Sequence, residues 1–332
     1  MIRLWAARAV MALVSLIGAA AVYYATIEPG WLRLSCAGIV VGVAGVAILA
    51  LPFRYGAALW AVLTVCLAIW YARDRPSNSR DWAPEYAVAA TAEQTGRTVS
   101  VRNIRNFSYR SETEFTPAYY DASFPLDELE SVDLVASYWA GRAIAHIFLT
   151  FGFRDGRHLA FSIETRRQAG FAYSTLAGFF HHYELFYVAA DERDLIGLRT
   201  DIRHEEVHLY RLRLNPETRE ALFLSYVQKL NELAEKPEWY NTLTDNCTTG
   251  ILARGNVPNR NRFDWRVLLS GYAPRYAYQL DLLDGDKSYA ELQRDSLVRR
   301  PPGTVIDADY SREIRQAVGP EAVGPGSDPV AR

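Results

Sequence analysis

Three long apolar runs open the chain, at residues 9–26, 34–53 and 55–71. Each is close to the ~20 residues that an α-helix needs to cross a hydrocarbon core. The first run, with Arg3 and Arg8 before it and Gly18-Ala-Ala-Ala21 within it, also has the outline of a signal peptide. Two further runs follow at once, so the pattern predicts an anchor of three transmembrane helices over residues 1–72. Trp31, Trp60, Trp70 and Tyr71 fall near the run ends, where interfacial aromatics belong. Arg3, Arg8 and Arg54 on one side and Glu28 on the other predict an inside N-terminus. Three spans then put residues 73–332 outside, which in a bacterium is the periplasm. Arg73, Arg75 and Arg80, just beyond the third run, oppose that orientation under the positive-inside rule.

Beyond the runs the pattern changes to that of a soluble domain. Residues 73–96 are polar and bear proline, and read as a linker and lead-in. Residues 97–280 alternate or carry β-branched and aromatic clusters. Strands are predicted at 98–105, 131–139, 143–153, 158–165, 184–190 and 207–214, with Arg154-Asp-Gly-Arg157 as a hairpin turn. The segment 106–120 mixes polar and aromatic residues without a period and reads as a loop. Asn215-Pro216 opens a helix whose buried stripe is Leu222, Phe223, Tyr226, Val227, Leu230 and Leu233. A second, short helix begins at Cys247, after the cap-forming residues Thr244, Asp245 and Asn246, and stops at Gly255. The fold class is therefore α+β, an antiparallel sheet with flanking helices. Residues 281–332 read as a polar tail, with the last dozen residues disordered by composition.

Composition narrows the function. Of 332 residues half are hydrophobic, but that average hides the split between anchor and domain. The formal net charge is −2, with no basic groove segment or zinc-knuckle spacing, so no nucleic-acid partner is expected. Two of the three cysteines, Cys36 and Cys66, lie in apolar runs, which excludes a disulfide framework. There is no His-x-x-x-His and no Cys/His cluster, so no metal site is expected.

Cys247 is then the only cysteine of the soluble part. At a helix start the unpaired N–H groups and the dipole favour a thiolate, which is a nucleophile. The other reading is a buried, inert cysteine. A nucleophilic cysteine needs a histidine within reach. Among His146, His158, His181, His182, His204 and His208, the one set apart is His146, a polar ring in the apolar strand Ala143-Ile-Ala-His-Ile-Phe-Leu. The other five read as surface residues, and His146 itself could be a core histidine bonded to a carbonyl. A third group that orients the imidazole would come from Ser162 or Glu164 on the partner strand. A two-residue turn at Asp155-Gly156 pairs His146 with Thr165, and a loop one residue longer pairs it with Glu164.

Five blocks carry a family resemblance: Asn106-Phe-Ser-Tyr-Arg-Ser-Glu-Thr-Glu-Phe-Thr-Pro, Ala145-His-Ile-Phe-Leu-Thr-Phe-Gly-Phe, Phe161-Ser-Ile-Glu-Thr-Arg, Tyr187-Val-Ala-Ala-Asp-Glu-Arg-Asp and Glu238-Trp-Tyr-Asn-Thr-Leu-Thr-Asp-Asn-Cys-Thr-Thr. Together they resemble the Lnb N-terminal periplasmic domain family. The resemblance implies a periplasmic domain related to bacterial lipoprotein N-acylation, at the inner membrane, and a permuted papain-like fold similar to NlpC/P60 thiol enzymes. In those enzymes a strand histidine precedes a cysteine at a helix start, the order of His146 and Cys247 here. The implied activity is a thiol acyltransferase. Cys247 takes an acyl chain from a lipid ester, His146 acts as base and then acid, Glu164 or Ser162 orients it, and Asn246 or helix-start N–H groups hold the oxyanion. The partners are membrane lipid and a lipoprotein amine, and no cofactor is needed. The competing expectations are a cysteine peptidase or amidase on cell-wall peptides using the same pair, and a non-enzymatic envelope protein.

Overall fold

The structure is a computed structural model and describes residues 2–255, 264–283, 286–301 and 303–316. The predicted disorder of the last dozen residues lies outside them. The chain divides into two compact units. One gathers Met1–Ala87, Thr165–Phe186 and Lys236–Asp245, and the other Val88–Glu164, Tyr187–Glu235 and Asn246–Arg332.

The first unit contains the helices α1 (Ile2–Tyr23), α2 (Gly30–Gly45, continued by a π-helical turn Val46–Ala50) and α3 (Phe53–Arg73). All three are long and apolar enough to cross a membrane. Small and branched residues let α1 and α2 pack closely, through Ala19, Val22, Ala37 and Val40, with Leu63, Leu67 and Trp70 of α3 against them. The outer faces show Leu13, Ile17, Ile39, Leu49 and Val62 to the surroundings, as helices solvated by lipid do. Arg80, one of the three cations that opposed an outside domain, is bound within the protein. Its guanidinium pairs with the buried Glu184 at 2.6 Å and with Thr26 at 2.8 Å. It is thus engaged by protein groups, which weakens the charge argument against the predicted orientation.

Two of the histidines expected at the surface are packed here. His181 stacks between Tyr71 and Trp239 at 3.9 and 4.7 Å between ring centres. His182 is buried on Phe171, with Nδ1 2.7 Å from the Tyr24 carbonyl.

The second unit holds the sheet. Its strands are β1 (Thr91–Thr95), β2 (Thr98–Arg105), β5 (Tyr119–Pro125), β6 (Leu129–Tyr138), β7 (Ala145–Phe153), β8 (His158–Arg166), β9 (Glu184–Asp191) and β10 (Glu206–Arg211), with β8 and β9 each continuing into the first unit. The order is β1-β2-β9-β8-β7-β6-β10, and β5 also pairs with β2. The sheet is mixed, since β2 meets β9 in parallel at Arg105↔Ala190 where only antiparallel pairs were predicted. The stretch predicted as a loop folds into a small hairpin, β3 (Ser108–Tyr109) with β4 (Phe115–Thr116). The predicted lead-in contains β1, an exposed edge strand of polar residues with no hydrophobic alternation to reveal it.

The helices are α4 (Glu192–Gly197), between β9 and β10, and after β10 α5 (Pro216–Glu235), α6 (Cys247–Arg254), α7 (Trp265–Leu268), α8 (Ala273–Gln279), α9 (Tyr289–Asp295) and α10 (Tyr310–Gln316). Asn215 caps α5 through Thr218 N–H at 2.8 Å. The buried stripe of α5 is the predicted one with Lys229 added. Alternation along β7 sends its residues to two faces. Phe151 meets Phe223 and Tyr226 of α5, while Thr150 donates to the buried Glu192 of α4 at 2.6 Å. The tail predicted as merely polar is therefore partly structural. Ser288 and Glu291 form a capping box at the start of α9. Arg315 of α10 reaches the buried carboxylates Glu192 and Asp133, at 2.8 and 2.9 Å. The buried His208, also expected at the surface, bonds Ser296 at 2.9 Å.

Candidate functional site

The turn after β7 sets the site. Phe153 N–H reaches the Arg157 carbonyl at 2.9 Å, and Gly156 takes φ +86°, which a side-chain-bearing residue resists. The loop is thus Arg154-Asp155-Gly156, one residue longer than a two-residue hairpin. The ladder runs from Gly152↔His158 to Leu149↔Phe161. Continued by three residues, that register sets His146 opposite Glu164, with Ser162 diagonal to it on the same face. Beyond Leu149↔Phe161 both strands run on, but no further β7–β8 ladder pair joins them among the described residues. The sheet is open there, and His146 is held on its other side by pairing with Ser137. Ser270 pins the strand start, donating to Ala145 O at 2.6 Å and accepting Ala145 N–H at 3.1 Å.

Helix α6 begins at this opening. Asn246 is its N-cap: Oδ1 accepts Thr248 N–H and Thr249 N–H at 2.9 Å each, and the Thr249 hydroxyl accepts Asn246 N–H at 2.9 Å. This capping box puts Cys247 at the first helical position and occupies two first-turn amides, leaving the Cys247 amide outside the cap bonds. Gly250, one turn on, lets the helix lie against β8, since a Cβ there would fall 2.5 Å from Ile163 Cδ1. The Cys247 thiol lies within electrostatic reach of the His146 imidazole and the Ile147 backbone, and Sγ is 3.8 Å from Thr248 Oγ1.

His146 Nε2 faces Ser162 Oγ at 2.6 Å and Glu164 Oε1 at 3.1 Å. Ser162 has one proton and donates it to Glu164 at 2.6 Å. Nε2 must therefore carry hydrogen, which leaves Nδ1 as the nitrogen for the thiol. Glu164 also meets the buried Arg199 at 3.4 Å, and Arg199 is fixed through the Leu195 carbonyl at 2.7 Å. Ser162 and Glu164 thus both contact the imidazole.

Burial and charge act against each other at all three ionisable groups. Burial alone lowers the basicity of His146, but the Glu164 carboxylate and hydrogen bonds with Cys247 and Glu164 outweigh it and push the imidazole up to about 9. Burial raises the Cys247 thiol, and the hydrogen bond and charge of His146 reverse this, so the thiol falls below its usual value. Burial likewise opposes ionisation of Glu164, but His146, Arg199 and Ser162 hold its carboxyl well below the usual range. Near neutral pH these directions favour a thiolate beside an imidazolium and a carboxylate. Such a pair can attack a carbonyl carbon and return a proton to the leaving group. No group of three or more His, Cys, Asp and Glu side chains is placed to hold a metal among the described residues.

Residues 115–271 match the family model described as the Lnb N-terminal periplasmic domain. That stretch is therefore similar to the Lnb N-terminal periplasmic domain. No curated protein and no solved structure matches the chain. The Lnb match begins inside the first resembling block, at Phe115, and includes His146, Ser162, Glu164 and Cys247. Three membrane-length helices before the matched stretch fit a membrane-associated envelope protein. Arg199 is the site residue that sequence reasoning missed. Its signal was an arginine in the apolar stretch Leu195-Ile-Gly-Leu-Arg, where a buried cation requires a carboxylate.

Proposed function

We propose that the chain is an inner-membrane-anchored cysteine acyltransferase whose site faces the periplasm. The observation that carries this reading is the placing of Cys247, at a capped helix start, beside His146, whose Nε2 faces Ser162 and Glu164. The Cys247 thiolate adds to the ester carbonyl of a phospholipid, forming a C–S bond and a tetrahedral oxyanion that the Cys247 amide can meet. The C–O bond then breaks, and the His146 imidazolium gives its proton to the lysolipid oxygen. An amine, such as a lipoprotein N-terminus, attacks the thioester. His146 takes the amine proton, a C–N bond forms, and the thiolate leaves. Glu164 and Ser162 are positioning residues that keep Nδ1 toward sulfur, and Asn246 holds the helix start. The apolar anchor supports a donor that resides in the bilayer.

Incubation of the full chain in lipid nanodiscs with phosphatidylethanolamine, and separately with muropeptides, tests the assignment. The expected result is an acyl adduct on Cys247 by intact mass together with free lysolipid. Consumption of muropeptide alone would transfer the same residues to a peptidase or amidase, and consumption of neither would leave a non-enzymatic envelope protein.

A further inference from the structure

A cavity of about 510 Å³ lies in the second unit between the sheet and α5, α6 and α8. Its walls include Leu134, Ile147, Leu149, Leu222, Ile251 and Leu280. Folded interiors rarely leave a void much larger than a water molecule, whereas pockets that bind small molecules run from ~300 to 1,000 Å³. Its polar lining groups are Glu217, Thr218, Thr248 and Arg254, with Tyr276 contributing a phenol. Two lining residues touch the proposed nucleophile. The Ile147 backbone interacts with the thiol, and Thr248 Oγ1 is 3.8 Å from Sγ. The cavity therefore starts one residue from Cys247.

The lining selects among occupants. A peptide placed there would lose water from its amides and find few partners among leucine and isoleucine side chains, a cost that a hydrocarbon chain does not incur. A linear chain also suits a space that starts at the residues beside Cys247 and continues between helices. We infer that this cavity receives the hydrocarbon tail of a fatty-acyl group whose carbonyl carbon is bonded to Cys247. The inference rests on the acyl-transfer reading above and adds to it a site for the chain. Ala221 on α5 and Ala277 on α8 both line the space, so bulk added at either shortens the chain it accepts.

The test uses the full chain in nanodiscs with two probes, p-nitrophenyl acetate and p-nitrophenyl decanoate. A chain-binding cavity makes kcat/KM for the decanoyl ester larger by roughly 100-fold or more, given what each buried methylene adds in an apolar pocket. Ala221→Phe should reduce that ratio by about tenfold or more. Equal turnover of both esters by the wild-type protein, or an unchanged ratio in a folded variant, would overturn the cavity assignment while leaving the chemistry of Cys247 intact. A second measurement needs no variant. A fatty acid with a diazirine at its terminal carbon is photolysed with the wild-type protein and the adducts are mapped. Adducts on α5 or α8 support the cavity even if neither ester turns over, an outcome that would count against acyl transfer alone. Adducts confined to residues 2–73, or none at all, would overturn the cavity.

Discussion

Replacing Cys247 with serine should abolish the thioester adduct and lower acyl transfer by roughly 10³-fold or more, while the protein stays folded. Serine is nearly the same size and sits as readily at the first position of a helix. The capping box uses Asn246, Thr248 and Thr249 and not the thiol, so α6 keeps its start. What changes is ionisation: the thiol falls below its usual value beside His146, whereas a hydroxyl stays protonated near neutral pH. Intact mass after incubation with phospholipid reads the adduct, and thermal melting reads the fold, with a stability change within about 1 kcal/mol. A folded serine variant that transfers acyl chains at the wild-type rate would remove Cys247 from the mechanism.

The second large effect concerns the carboxylate. In the wild-type protein the thiolate–imidazolium pair exists from the lowered thiol value up to about 9, where His146 loses its proton. Activity should rise with pH through the first and fall through the second. Glu164→Gln removes the charge that raises His146 while keeping an oxygen for Ser162. The imidazolium is then less favoured, and the falling limb should move to lower pH by roughly one unit or more. Because the same imidazolium lowers the thiol, the rising limb should move up, so the window narrows from both sides. The rate at pH 7 should drop roughly 10- to 100-fold. Stability falls as well, since the variant leaves the buried Arg199 without its carboxylate, at a cost of about 1–3 kcal/mol. A merely structural Glu164 would lower stability without moving either limb of the pH–rate profile.

The residues of the candidate site could be singled out before the fold because each broke a local rule. His146 interrupts an apolar strand, Glu164 closes one, and Cys247 follows a run of cap formers. Turn chemistry placed the β7–β8 hairpin, but the choice between two and three loop residues depended on a single φ, at Gly156. That choice decides whether Thr165 or Glu164 faces His146. The open end of the β7–β8 ladder has no signature in residue type, because the strands stay β-forming after they part. Arg199, His182 and His208 share a different cause. Polar residues are read as exposed unless their partners are known, and the partners here are distant in sequence, as with Arg199 and Glu164 or His208 and Ser296. The tail hid its structure similarly. The Ser288-x-x-Glu291 box was visible as a helix start, but Arg315 has a role only because Glu192 and Asp133 are buried in front of it.

Acyl transfer at this site depends on the charge state of one sulfur atom. The most direct measurement is the rate of Cys247 alkylation by iodoacetamide against pH, read by mass on the peptide that contains it. Cys36 and Cys66 serve as internal comparisons outside the site. A midpoint below the ~8.5 of an ordinary cysteine is expected, with labelling at neutral pH faster than that of an ordinary thiol. A midpoint at or above that value, or a thiol that stays unlabelled in the folded protein, would contradict a nucleophilic Cys247.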